Sequence, residues 1–270
     1  MKNFFTGRTS FLRMHFNETH ISCGTGFFIR TAGRLALVTA RHNLTGRHWE
    51  TGECLSRETA AIPNRVSLDV PIAERKTPGR FGFKELILPL TDDSTPPRAI
   101  WLEGGPNDFS WDVAVIPVPD GWEIAFVERW KAQHNLQGDF AVATMCDHAP
   151  WEALVAQEHH VGSTLFALGF PFAKDGGVRN QPIWRFGAVA TEPATDWDNL
   201  PVFLADLSGR NGMSGSPVLI GMEPAVLSLA GIYTGRILDE KNHSELGYVW
   251  KLSAIDKILK AGRFGAEPCT

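Results

Sequence analysis

The chain has 270 residues, 43% of them hydrophobic and 21% charged, the make-up of an ordinary globular protein long enough for one large domain or two packed halves. A net charge of −4 with no lysine- or arginine-rich run argues against nucleic acid or an anionic membrane surface as a partner. No apolar run approaches the ~18–20 residues of a membrane span, and Arg8, Arg13, His15 and Asn17 interrupt any export signal, so the expected setting is the cytoplasm.

Strand signals dominate in chain order. Residues 19–28 carry Gly24 and Gly26 ahead of Phe27-Phe28-Ile29, and the turn Thr31-Ala32-Gly33-Arg34 leads into the run 35–39, a hairpin pattern. The insert 45–61 reads as a long surface loop. Further strands are expected at 65–70, 85–90, 99–102 and 113–118. The segment 122–133 places Ile124, Val127 and Trp130 at helical spacing and reads as a rigid connection between two β-halves. Strands resume at 164–170, 183–190, 202–207, 217–220, 226–234 and 247–251. A terminal helix over 253–259 follows, with Ser253 as N-cap and Ile255, Ile258 and Leu259 on one face. Short strands punctuated by Pro, Gly and Asp predict an all-β sandwich or barrel pair.

The four cysteines, Cys23, Cys54, Cys146 and Cys269, stand in dissimilar contexts with no Cys-x-x-Cys spacing, which predicts free thiols in a reducing compartment. Cys146-Asp147-His148 and His159-His160 read as solvated loop residues rather than metal ligands. No metal or cofactor is expected.

Three segments carry chemistry: Ala36-Leu37-Val38-Thr39-Ala40-Arg41-His42, Trp111-Asp112-Val113-Ala114-Val115-Ile116-Pro117 and Asn211-Gly212-Met213-Ser214-Gly215-Ser216-Pro217. A serine hydroxyl is a poor nucleophile at neutral pH and needs a base within hydrogen-bond reach and an orienter behind that base. His42, at the end of an apolar strand with a loop opening at Asn43, supplies the base. Asp112, costly to bury alone beside Val-Ala-Val-Ile, supplies the orienter. Gly212 and Gly215 give Ser214 a turn closed to other residues, with the N–H groups of Gly212 and Ser214 as the expected oxyanion hole. An α/β-hydrolase elbow would need glycine where Ser216 stands, the acid and histidine downstream, and alternating helices.

The order His, Asp, Ser resembles that of the trypsin-like (chymotrypsin-fold) serine peptidases, and more narrowly their bacterial, disulfide-free cytosolic branch. Val38-Thr39-Ala40-Arg41-His42, Asp112-Val113-Ala114-Val115, Leu168-Gly169-Phe170-Pro171, Gly212-Met213-Ser214-Gly215-Ser216-Pro217 and Gly231-Ile232-Tyr233-Thr234-Gly235 each resemble a family segment. The resemblance implies two packed six-stranded antiparallel β-barrels with a C-terminal helix. Residues 1–120 would form the barrel carrying His42 and Asp112, 121–138 the connection, 139–251 the barrel carrying Ser214 and the specificity pocket, and 252–270 the helix and tail. It further implies Ser208 at the pocket base, Tyr233 and Thr234 along one wall, Arg236 near the mouth, and the Thr234 hydroxyl as a support for Asp112.

The departures are informative. Met213 stands where animal enzymes carry the aspartate that pairs with a new N-terminus, so activation by that ion pair is not expected. Ser208 replaces the pocket aspartate of trypsin, which argues against Lys or Arg before the scissile bond unless another acid such as Asp206 supplies the anion. A small-to-medium apolar residue is favoured there, with an acidic one within reach of Arg236 as the alternative. The function expected is a serine endopeptidase acting on a protein or peptide substrate. A silent fold serving as a binding or regulatory module for a partner protein is the second reading, and a serine esterase the third.

Overall fold

In Thr9–Phe16 apolar and polar residues alternate, so that Leu12 and Met14 are fully buried while Phe11, Arg13 and His15 stay partly exposed. The structure, a computed structural model, describes residues 4–56, 62–77, 79–105, 111–221, 227–237 and 246–265. Its first half runs β1 (Thr9–Phe16), β2 (Thr19–Thr31), β3 (Arg34–Thr39), α1 (Arg41–Thr45), β4 (Arg65–Glu74), β5 (Phe81–Pro89), β6 (Leu102–Glu103), β7 (Ala114–Pro117), α2 (Trp122–Gln133) and β8 (Phe140–Val142). The second runs α3 (Trp151–Val155), β9 (Thr164–Gly169), β10 (Ile183–Val189), β11 (Val202–Asp206), β12 (Ser216–Ile220), β13 (Ser228–Arg236), β14 (Leu246–Lys251), α4 (Leu252–Ala261) and β15 (Arg263–Phe264).

The second half closes. Its strands form a six-stranded antiparallel barrel in the order β10-β11-β14-β13-β12-β9. The first half is an open nine-stranded sheet, β15-β6-β7-β3-β2-β1-β4-β5, with β8 paired to β4. Among the described residues, the link between β5 and β6 carries one isolated bridge, Thr91 with Ala99, and β5 and β6 do not pair. Pro89, Pro96 and Pro97 lie at that seam and have no amide to donate to a continuous ladder. The all-β class with a closed barrel and a C-terminal helix therefore holds, while the six-stranded closure expected of the first half does not. β8, which the expected boundary at residue 139 assigns to the second barrel, hydrogen-bonds with β4 in the first sheet.

Three apolar clusters carry the packing. One lines the first sheet around Leu37, Leu68, Val70 and Trp101, and another fills the second barrel around Leu165, Phe203, Val218 and Val249. The third joins the halves, drawing Phe27, Val38 and Val115 from the first and Leu168, Leu229 and Trp250 from the second. Ile255 and Ile258 of α4 insert into it, each worth about 1.5–3 kcal/mol when fully buried. The groups expected to carry chemistry stand at this junction, where Thr25 and Asn43 of the first half bond to the Ser214 carbonyl of the second.

Several local expectations shift. β1, β8, β15 and α3 were not expected, because polar residues or short length hide their periodicity. The strand expected from residue 226 begins at Ser228, and Val226 lies outside the described residues. The β2–β3 turn closes over Ala32 and Gly33, at φ 46° and 77°, the mirror-image turn whose twist suits a hairpin. In α2 it is Phe126, Val127 and Trp130 that are buried, and Ile124 faces solvent. The N-cap of α4 is Lys251, so Ser253 lies inside the helix. Trp49, in the insert expected to be a surface loop, packs edge-on against Trp250 with ring centroids 5.7 Å apart.

Cys23, Cys54 and Cys146 are free thiols, and Cys269 lies outside the described residues. In the turn Cys146-Asp147-His148, Asp147 and His148 are exposed as expected, whereas Cys146 is buried. Cys146 Sγ accepts the Arg30 amide at 3.0 Å, Asp147 pairs with Arg8, and His148 stacks edge-on with Phe5. Burial pushes the Cys146 thiol pKa up. Denatured protein should take up four alkylating groups, and Tm should be the same with and without reductant. A drop in Tm on reduction would reveal a disulfide, whose loss typically destabilises by about 2–5 kcal/mol. Among the described residues no helix is long and apolar enough to cross a membrane.

Candidate active site

His42 does not end a strand, as the sequence implied. It sits in the first turn of α1, a five-residue helix that follows β3 directly and stops at Gly46, whose φ of 65° is the left-handed conformation glycine adopts freely. Ala40, the N-cap, has no side chain to satisfy the free amides of that turn. Asp112 does so from outside the helix: Oδ1 accepts the His42 backbone N–H at 3.0 Å. The same carboxylate meets His42 Nδ1 at 2.8 and 3.0 Å. Asp112 is 1% exposed and has no room for solvent, so these bonds offset its burial. An ionised carboxylate only accepts, which makes Nδ1 the donor and leaves the Nε2 lone pair free. The helix backbone and the imidazole are thus fixed by one side chain.

Ser214 heads a turn held from both halves. Its carbonyl accepts the Thr25 amide at 2.8 Å and Asn43 Nδ2 at 2.9 Å, and Gly215 N donates to Tyr233 O at 2.8 Å. Thr25 Oγ1 also donates to Gly212 O at 2.7 Å. Gly215, at φ 92°, lies so close to β2 that a Cβ there would come within 1.9 Å of Thr25 O. Ser216 fits beside the turn because Gly169 is bare; a Cβ at 169 would lie 2.2 Å from Ser216 Oγ. Met213 is fully buried in the barrel core. Among the described residues, the amides of Gly212 and Ser214 have no acceptor, and Ser214 Oγ has no hydrogen bond to His42. The serine turn is tied to α1 through Asn43, the residue after His42, whose amide donates to the Ser214 carbonyl. Sequence reasoning placed Asn43 in a loop and gave Thr25 no role; only their partners across the two halves reveal them.

The expected pocket residues come together differently. The Ser208 carbonyl accepts Arg185 Nη2 at 2.9 Å, and Arg210 holds both the Ser208 hydroxyl and, at 2.9 Å, the Gly209 carbonyl. Tyr233 is 2% exposed and does more than line a wall. Its ring lies between Gly209, where a Cβ would sit 1.8 Å from Tyr233 Oη, and Gly247, where one would sit 2.5 Å from Cε2. Arg236 ends β13 opposite Gly247. Arg185, on β10, is a residue no local pattern singles out.

Thr234 does not support Asp112. It is the extra residue of a bulge in β13, between Tyr233 and Gly235, and its hydroxyl accepts Trp250 Nε1 at 3.1 Å. Trp250 in turn packs against Trp111, the residue before Asp112, with centroids 6.1 Å apart. Thr234→Val would leave a buried indole N–H without an acceptor, an expected loss of about 1–3 kcal/mol in stability. Chemical denaturation measures it. A large fall in turnover at unchanged stability would instead place the hydroxyl on Asp112.

A profile of the trypsin-like peptidase domain matches residues 24–221 of this chain. The chain belongs to the trypsin-like peptidase domain family. Solved structures of similar fold include the serine endoprotease from Yersinia pestis, at 12% identity and TM-score 0.50, covering 94% of this chain and 62% of that one. The HtrA-type protease AlgW with a tripeptide is similar at 14% identity and TM-score 0.50, over 95% and 60% of the two chains. The chain thus spans about three fifths of the length of these neighbours. Among proteins with curated descriptions, no match was found.

Proposed function

We propose that this protein is a serine endopeptidase in which Ser214 is the nucleophile, His42 the general base and acid, and Asp112 the orienter. The observation that carries the reading is the buried Asp112 carboxylate on His42 Nδ1, with Nε2 left free beside a serine turn pinned across both halves. The Ser214 hydroxyl attacks the scissile carbonyl as His42 Nε2 takes its proton. The resulting oxyanion is received by the unoccupied amides of Gly212 and Ser214. The imidazolium, steadied by Asp112, then gives its proton to the departing amine, leaving an acyl group on Ser214. Water deacylates it by the same steps in reverse. The hydrogen bond between Ser214 Oγ and His42, missing at rest, forms as substrate aligns the two groups.

The setting we propose is the bacterial cytoplasm, with a protein or peptide substrate and without cofactor. The missing Ser214–His42 bond is the one observation that favours the second reading, a silent fold binding a regulatory partner. N-terminal profiling of a cell lysate exposed to the protein decides between them. New N-termini should arise with the wild type and not with Ser214→Ala. Equal profiles from the two would support the binding module.

A further inference from the structure

We infer that the specificity site beside Ser214 selects an acidic residue before the scissile bond, its carboxylate held by Arg236, Arg210 and Arg185 at the hydroxyl end of Tyr233. Naming that position rests on the peptidase reading above; the charge preference rests on the site itself. Arg185 and Arg210 meet at Ser208, and Arg210 also reaches Gly209, both bonded to uncharged oxygens. Arg236 approaches from β13, across from the Gly247 backbone on which the Tyr233 ring lies. Arg8, Arg30 and Arg41 each meet a carboxylate. Among the described residues the three pocket arginines meet none.

The Tyr233 hydroxyl also lacks an acceptor among the described residues. Burial pushes its pKa up to about 12, with Arg236, Arg210 and Arg185 pulling the other way. All three cations are therefore within electrostatic reach, and at neutral pH the hydroxyl is a neutral donor. Asp206 is exposed at the end of β11 and, among the described residues, forms no ion pair with any of these arginines.

The shape of the site agrees. The Tyr233 ring takes the space beside Gly209 and Gly247, which narrows the room for an apolar side chain. A carboxylate needs no such depth, since it can meet charged donors at the rim through short, charge-assisted hydrogen bonds. A substrate lysine or arginine meets like charge and no anion. Arg185 and Arg210, which sequence alone does not bring here, move the expectation from a small apolar residue to an acidic one.

Two measurements test the proposal. The first is kcat/KM on peptides differing only before the scissile bond, where Glu or Asp should exceed Ala and Leu by at least tenfold and Lys or Arg by more. Arg236→Gln should reduce the preference to about threefold, and Arg236→Lys should retain most of it. The second needs no catalysis: product-like acetylated tetrapeptides ending in Glu, Ala or Lys are bound to Ser214→Ala protein and followed by fluorescence anisotropy. The Glu peptide should bind at least tenfold tighter than the other two. Equal binding, or tighter binding of the Lys or Ala peptide, overturns the acidic preference. Failure of turnover with selective Glu binding would count against the peptidase reading and leave the acidic site standing.

Discussion

Replacing Ser214 by alanine is expected to lower peptide turnover by on the order of 10⁶-fold, and His42→Ala should fall to nearly the same floor. The two changes should not add. A serine without its base and a base without its serine are equally unable to start acyl transfer, so the double variant should lose little more than either single one. Ser214→Ala should leave the fold intact, because the contacts that pin this residue are made by its carbonyl and not by its side chain. Comparing kcat/KM for the two single variants and the double one, with Tm measured alongside, checks both points. Additive losses would mean that the two side chains act separately.

Asp112→Asn is expected to lower turnover by about 10⁴-fold while preserving most of the structure. Asp112 is acceptor-only and fixes the proton on His42 Nδ1. An asparagine amide facing the ring would donate to Nδ1 and force the proton onto Nε2, where the base must be empty. The backbone bond from His42 N to Oδ1 can be kept by the asparagine carbonyl, so α1 should stay capped. The signature is therefore a large fall in kcat with a small change in Tm. A fall of less than tenfold would remove Asp112 from the orienting role.

What the sequence made legible follows from physical scale. Strands 183–190, 202–207 and 247–251 were read almost to the residue, because their apolar runs are long and bounded by glycine, proline or aspartate. The helix at 122–133 was read to the residue as well, although its buried face was misjudged by counting Ile124 in place of Phe126. β1 was missed although Leu12-Arg13-Met14-His15 alternates as a strand does, because Arg13 and His15 were weighed only as breaks in an export signal; Arg13 finds its partner, Asp69, across on β4. The open first sheet was equally hidden, since prolines at a seam disclose themselves only once strands are paired. His42, Asp112 and Ser214 were visible as an ordered set, but the helix that carries His42 was not. Five residues are too few for a periodic signal, and α1 is held by Asp112, seventy residues away in the chain. The pocket was the least legible part. Arg185 reaches Ser208 from a neighbouring strand, and Thr234 turned to Trp250 because a bulge re-aimed it.

Every step of the proposed reaction depends on Ser214 being a nucleophile activated by His42. Reaction with a fluorophosphonate, followed by intact mass and peptide mapping, tests it without knowledge of the substrate. One adduct per chain is expected, located on Ser214, forming far more slowly in His42→Ala and absent in Ser214→Ala. An unreactive wild-type protein, or an adduct that persists in Ser214→Ala, would contradict it.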